Sequence, residues 1–424
     1  LVSCALSVWY KPWRLVPANV TDAVLHAGII TVLCMAAGFT EDTPESEHHF
    51  AVFAATVLAC IFGAAVLTIA AILIWRVVRC LRGHKPVSFY LCHDVASSSA
   101  AARLVKLHIC GMTAVTGKVH LQADEFLPLA QCVHRIKEDV VNLVVLCTQH
   151  VWTHARSLVE ITTAFSCRAS LAFVQIRLPG FDPPDDEVID SFDMSSTEAD
   201  VLAQCGVDAK TVKQAMRWAR GCKFFDMPVE VTNMAVADLV TCIVSERSGV
   251  SATTKESHSS LSGSQEQFLL ADMQDVADAC VACLIEKMLR SFVAHEGHFI
   301  QLLCPGTDLP TEVEVVVLVC SRNMLTRDFI KEALAVAGAG TCSVIPVLTD
   351  PTFCFPRRSE IDALGQDVVA AIDKASKRAW IEIAGTASEV MLKIRVASLA
   401  KAIADQRLQP TKVSAPMHLQ HAAP

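Results

Sequence analysis

Residues 140–176 read VVNLVVLCTQHVWTHARSLVEITTAFSCRASLAFVQI, and this stretch decides the fold. Val140–Cys147 is apolar on both faces, as a strand inside a parallel sheet must be. Leu158–Cys167 then carries a helical pattern, and Leu171–Ile176 is a second apolar strand. Upstream the same alternation continues. Val87–Cys92 (VSFYLC) reads as a strand. Ser98–Cys110 places Ala101, Leu104, Val105, Leu107 and Ile109 at mostly helical spacing. Val119–Leu121 reads as a strand and Leu127–Ile136 as a helix. Strand and helix in turn predict a parallel sheet with right-handed crossovers.

Downstream, Pro179–Asp186 (PGFDPPDD) is a loop by composition. Thr197–Gly206 and Thr211–Arg220 read as short helices, Phe224–Val231 as an edge strand, and Met234–Val244 closes the unit. Ser245–Gln267 is rich in Ser, Thr, Gly and charge and reads as a flexible linker. The pattern then returns. FLLADM from Phe268 is a strand, VADACVACLIEKML a helix, EVEVVVLVC (Glu312–Cys320) a buried strand, and SVIPVL the strand after a further loop and helix. The second copy looks eroded between its first helix and EVEVVVLVC. Val368–Ala375 and Ala387–Ala404 are amphipathic helices, and 409–424 is a polar tail.

The N-terminal part is of another kind. Phe50–Trp75 holds no Asp, Glu, Lys or Arg, and Arg76, Arg79, Arg82 and Lys85 follow it. That length spans a bilayer, and the basic cluster marks the cytosolic side. Ala23–Phe39 is a shorter apolar run. Lys11 and Arg14 precede it, and Glu41, Asp42, Glu45 and Glu47 separate it from the longer one. The order basic, apolar, acidic, apolar, basic predicts a transmembrane helical hairpin with an acidic turn outside. The expected organisation is a cytosolic lead-in from a larger protein (1–19), the hairpin (20–85, with spans near 20–39 and 50–78), a first α/β domain (86–244), a linker (245–267), a second α/β domain (268–408) and the tail. Everything from about Pro86 onward is expected in the cytosol.

Composition narrows the function. The chain is 52% hydrophobic, with a mean hydropathy of +0.41, which suits soluble domains joined to a membrane segment. A net charge of −8 and only 2 Tyr leave no basic, aromatic-studded stripe for nucleic acid. The 18 Cys lie in apolar, periodic segments, where a thiol acts as a small buried hydrophobe. Cys280 and Cys283 form a C-x-x-C inside a helical run with no second pair or nearby His, so core packing is expected there and no metal. The turn after the first strand, HDVASSSAAA, is not a glycine-rich phosphate loop.

The order VSFYLCHD, SSSAAARLVKL, KVHLQADEF, NLVVLCTQHVW, LVEITTAFSC, LAFVQI resembles a TIR domain (Toll/interleukin-1 receptor homology), most closely the divergent TIR-like domains of unicellular eukaryotes. The resemblance covers Pro86–Leu178 and is strongest from Asn142 to Ile176. It implies two flavodoxin-like (TIR-like) parallel-sheet domains in tandem behind two transmembrane α-helices. TIR domains are mostly self-association modules in signalling, and some cleave NAD+ at the nicotinamide–ribose bond. In those a Glu in the helix after the third strand is essential, and the matching residue is Glu160. A carboxylate there would stabilise the oxocarbenium-like ribose. The family's Trp four residues before that Glu is replaced by Arg156, with Trp152 four residues further back. The alternative for Glu160 is a first-turn helix Glu favoured by the helix dipole. His93 and Asp94 end the first strand, where parallel sheets place ligands; they, with Trp152, would line a nucleotide pocket, or else sit in a solvated loop. In the second copy the alignment pairs Glu332 with Glu160.

Three functions follow from this reading. One is a membrane-anchored signalling protein acting through TIR-like self-association or docking, with other TIR-like domains (homotypic or intramolecular) and the lipid bilayer as partners and no cofactor. The second is a TIR-type NAD+ glycohydrolase using Glu160, with NAD+ as substrate. The third is the regulatory tail of a polytopic channel or transporter.

Overall fold

The computed structural model describes residues 87–248, 267–293, 300–354 and 364–408, except 116, 126, 194, 195, 311, 341 and 351, together with scattered positions between 26 and 74. The chain divides into two compact units, Leu1–His84 and Lys85–Pro424. In the first, the described residues between 52 and 74 are helical. They carry exposed Val52, Phe53, Leu58, Phe62, Leu67 and Ile74. Among the described residues no helix is long and apolar enough to cross a membrane. Much of the expected hairpin, the lead-in 1–19 and the tail 409–424 lie outside the described residues.

The second unit holds two parallel sheets. The first runs β1 (Val87–Cys92), α1 (Val95–Cys110), β2 (Lys118–Leu121), α2 (Leu129–Glu138), β3 (Val140–Cys147), a 3-10 turn (Gln149–Trp152), α3 (Ala155–Ser166) and β4 (Ala172–Arg177). It continues through α4 (Asp186–Ser191), α5 (Ser196–Gln204), α6 (Ala209–Arg220), β5 (Phe224–Asp226) and α7 (Asn233–Ser248). The second runs β6 (Gln267–Leu270), α8 (Val276–Val293), β7 (Ile300–Leu302), β8 (Val315–Cys320), a 3-10 turn (Met324–Thr326), α9 (Asp328–Ala339), β9 (Ser343–Leu348), α10 (Gln366–Ser376), β10 (Ile381–Glu382) and α11 (Glu389–Leu408).

Strand orders are β2-β1-β3-β4-β5 and β7-β6-β8-β9-β10, with every pair parallel. Both are the 2-1-3-4-5 order of flavodoxin-like folds. The duplication is a structural one: two copies of one topology.

Several elements differ from the sequence reading. Helix α1 begins at Val95 rather than Ser98, because Asp94 caps it by accepting from Ser97 N at 2.9 Å. Helix α4 starts inside the expected loop, capped by Asp185. Strand β5 ends at Asp226, short of Val231. The second copy is complete: β7 and β10, with three and two residues, are too short to show a period-2 pattern. Helix α7 runs to Ser248 and β6 begins at Gln267, so both ends of the expected linker are structured, and 249–266 lies outside the described residues.

Each sheet buries its outer face under its own helices. Leu158, Ile161 and Met216 from α3 and α6 cover the first. Ile330, Leu334 and Ile372 from α9 and α10 cover the second. Gly338 lets α9 and α10 approach closely, since a Cβ there would lie 1.7 Å from Asp367 O. The inner faces share a single core that includes Leu104 and Val105 of α1, Val236 and Val240 of α7, Cys280 and Leu284 of α8, and Val396 and Leu399 of α11.

The first helices of the two copies, α1 and α8, pack on each other, and each is also covered by the closing helix of its own copy, α7 and α11. The polar ties repeat in two-fold fashion. At the start of α7, Asn233 Nδ2 donates to Cys283 O (3.0 Å) and Glu286 Oε2 (2.6 Å) on α8. Just before α11, Gly385 O accepts from Arg103 Nε of α1 at 2.8 Å, and Ala387 O accepts from Arg103 Nη2. Arg103 also pairs with Asp124 at 2.6 Å and is only 3% exposed. Lys106 reaches Glu389 at 2.6 Å. Gly385 sits close against α1, where a Cβ would lie 3.1 Å from Ala100 Cβ.

Arg103→Ala removes donors from two carbonyls and one of the donors to the Asp124 carboxylate, which keeps Lys106 and Glu389 N. It is expected to lower unfolding stability by about 2–4 kcal/mol, with Arg103→Lys recovering little of it, as read by urea melts of the 86–408 fragment. A loss under about 0.5 kcal/mol, the size of an ordinary surface change, would mean that the clamp does not form.

Candidate functional site

Strand β1 and helix α3 enclose Glu160. Its side chain belongs to the second turn of α3, not the first, and is 1% exposed, so it is not a solvated dipole-stabilising residue. Tyr90 Oη on β1 donates to Glu160 Oε1 at 2.8 Å. Arg156 Nε lies 3.4 Å from the same oxygen, one turn earlier on the helix. Arg156 Nη2 also donates to Leu127 O (3.0 Å) and contacts Cys132 Sγ (2.8 Å). Arg156 thus lies beside the carboxylate and ties it to the segment leading into α2. Burial pushes the Glu160 carboxyl above its ordinary range, although the Cys92 thiol, Arg156 and Tyr90 pull it down. Burial, then Glu160, pushes the Tyr90 phenol well up.

The other expected residues lie elsewhere. Trp152 is 3% exposed, stacked on Phe181 with ring centroids 6.4 Å apart, and its Nε1 has no hydrogen-bond partner among the described residues. His93 is 2% exposed at the end of β1, and burial lowers its pKa to about 4. Asp94 is spent on capping α1, through Ser97 N and Ser97 Oγ (2.6 Å). Neither His93 nor Asp94 lies in an open solvated loop.

Glu332 is exposed on α9. Counted from the first residue of each helix, Glu160 is sixth in α3, and the sixth in α9 is Ala333. By this count Ala333, one position past Glu332, has the place in its helix that Glu160 has in α3. Cys280 and Cys283 both lie in the shared core. Among the described residues no cluster of His, Cys, Asp or Glu is arranged to hold a metal.

A cleft of about 740 Å³ lies elsewhere, between the two sheets at the C-terminal ends of their strands. In a 2-1-3-4-5 sheet the strand order reverses between the first and third strands, and ligands bind outside the strand ends there. The cleft takes in that point from both copies. From the first come Ser97 and Thr148, whose hydroxyls are 3.4 Å apart. From the second come Asp275–Asp278 and Ser321–Asn323. Thr349, Asp350, Glu382 and Thr386 complete its polar wall, and Ala100, Val281, Leu178 and Leu348 its apolar one. Neither Glu160 nor Arg156 lines it.

In this cleft Asp278 is the unusual group. Burial raises its pKa to about 7, reinforced by Asp275, Asp272 and Asp350 and opposed by nearby Ser321. Asp272 itself is paired with Arg327 at 2.8 Å. Sequence reading passed over these residues, although the Asp-rich DMQDVAD directly after a strand and SRN after the next central strand were available signals.

No protein-family profile matches the chain, and a search of curated proteins returns no match.

Asp278 is an acid whose pKa is raised on folding, so its ionisation opposes the fold: stability falls as pH rises from about 4 to about 7 and levels off above. Asp278→Asn is expected to raise Tm by an amount that grows across that window and is constant from pH 7 to 9. Thermal melts against pH check this, and a gain independent of pH contradicts it.

Proposed function

We propose that this chain is a membrane-tethered docking module in which two TIR-like domains act as one rigid body on the cytosolic face, without chemistry of their own. The observation that carries this reading is the setting of Glu160. Its carboxylate is buried under Tyr90 and beside Arg156, and the cleft between the sheets does not open on it. A glycohydrolase needs that carboxylate against a bound ribose. Arg156 stands where the family's Trp would stand, and a cation there disfavours a developing oxocarbenium charge.

The shared core supports the docking half of the reading. Helices α1, α7, α8 and α11 are committed to contact between the two copies. Homotypic docking with further chains then falls to the outer helices, α2, α3 and α6 on one sheet and α9 and α10 on the other. The tether rests on the charge pattern around 50–85 and on the exposed apolar side chains of the helical residues between 52 and 74. Confinement to a surface raises effective concentration, so weak contacts suffice.

The test is NAD+ consumption by the full chain reconstituted in liposomes, beside Glu160→Gln, Glu160→Ala and Glu332→Ala. The expected result is no consumption above protein-free liposomes for any of them. Turnover by the wild type that disappears in Glu160→Gln, with the variant still folded, overturns the proposal in favour of the glycohydrolase.

A further inference from the structure

A second recess lies away from the strand ends, where α1, α8 and α11 meet. Its volume is about 320 Å³. Leu107 of α1, Leu284 and Met288 of α8 and Leu392 of α11 give it an apolar lining. Phe292, near the C-terminal end of α8, also lines it and is 40% exposed. An aromatic ring left in water beside an open apolar recess is surface that an apolar occupant would cover. Both copies contribute, since α1 belongs to the first and α8 and α11 to the second.

The polar part of the lining is mainly cationic. Arg103, Lys106, Lys287 and Lys393 stand against Glu389. Asp124, which does not line the recess, pairs with Arg103 (2.6 Å) and Lys106 (2.5 Å). Glu389 is shared by Lys106 (2.6 Å) and Lys393 (2.8 Å). Among these six groups, four are basic and two acidic. Burial raises the Glu389 carboxyl, yet Lys106 and Lys393 hold it down at about 2. The field at this edge of the recess is therefore positive, and it favours an anion.

Size narrows the occupant further. One turn of a docked helix, about 10 Å across and 5.4 Å long, displaces about 400 Å³, more than the recess holds. A single alkyl chain is slender enough to enter. Its head must match the rim: a carboxylate accepts charge-assisted hydrogen bonds from ammonium groups, an alkylammonium is repelled, and an alcohol gains little from the field.

We propose that the recess between α1, α8 and α11 binds a single-chain alkyl carboxylate, its tail against Leu107, Leu284, Met288 and Leu392 and its head at Lys287 and Lys393. The ligand touches both copies, so it binds the folded pair and raises its stability. The site shares no residue with the cleft at the strand ends. It goes beyond the docking reading and does not depend on Glu160.

The experiment is photolabelling of the full chain in phosphatidylcholine nanodiscs with a decanoate that carries a diazirine on its tail, with adducts mapped by mass spectrometry. Labels are expected on peptides of α1, α8 and α11 and are expected to be competed by decanoate. Decanol and decylamine are expected to compete about tenfold less well, the scale of a lost charge-assisted contact. Lys287→Gln combined with Lys393→Gln is expected to weaken labelling by about the same factor. Ser291→Trp, at an exposed position on the rim, is expected to block it, with Tm showing that each variant is folded. Absence of competable labelling at these helices in the wild type overturns the proposal. So does equal competition by decylamine, or labelling unchanged in both folded variants. A phospholipid that stays bound in native mass spectra and is not displaced by decanoate also overturns it.

Discussion

The packing of α1 against α8 is the contact on which the rest of unit 2 depends. A flavodoxin-like sheet must cover both faces with helices. Here each copy covers its outer face alone but shares the inner one, so Leu104, Val105, Cys280 and Leu284 lie in one core built from both copies. Arg103 makes the contact specific. Its guanidinium spans carbonyls at Gly385 and Ala387 and the Asp124 carboxylate, a set that exists only when the two copies are in this register. Apolar burial supplies the drive, and the buried arginine restricts the geometry.

Functional consequences follow from that contact. It joins the strand ends of both sheets around one cleft, which neither copy could form alone. It also removes four helices from the surface available to other chains. Glu160, by contrast, lies on the outer side of the first sheet, tied to β1 by Tyr90 and to the approach to α2 by Arg156. In this setting the polar network holds secondary elements together.

Much of the fold was legible. The eight-residue run VVNLVVLC and the runs VSFYLC and EVEVVVLVC are apolar on both faces, a pattern only a doubly covered parallel strand requires, and their repetition revealed the duplication. The shortest strands, β7 and β10, were not legible, because two or three residues give no period and their place is set by neighbouring strands. The start of α1 was missed because Val95–Ser97 lacks apolar periodicity and depends on the cap at Asp94. The sites were less legible than the fold. Alignment brought attention to Glu160 and Glu332, but the first is buried and the second exposed, and on a helix one residue turns a side chain by about 100°. Asp278 lies in the first turn of α8 and Ser321 just after β8, and only the folded sheet brings them together.

The central claim is that two flavodoxin-like copies form one cooperative body. Scanning calorimetry of the 86–408 fragment tests it most directly. The account predicts a single transition with equal calorimetric and van't Hoff enthalpies. Two separable transitions, one per sheet, would contradict it.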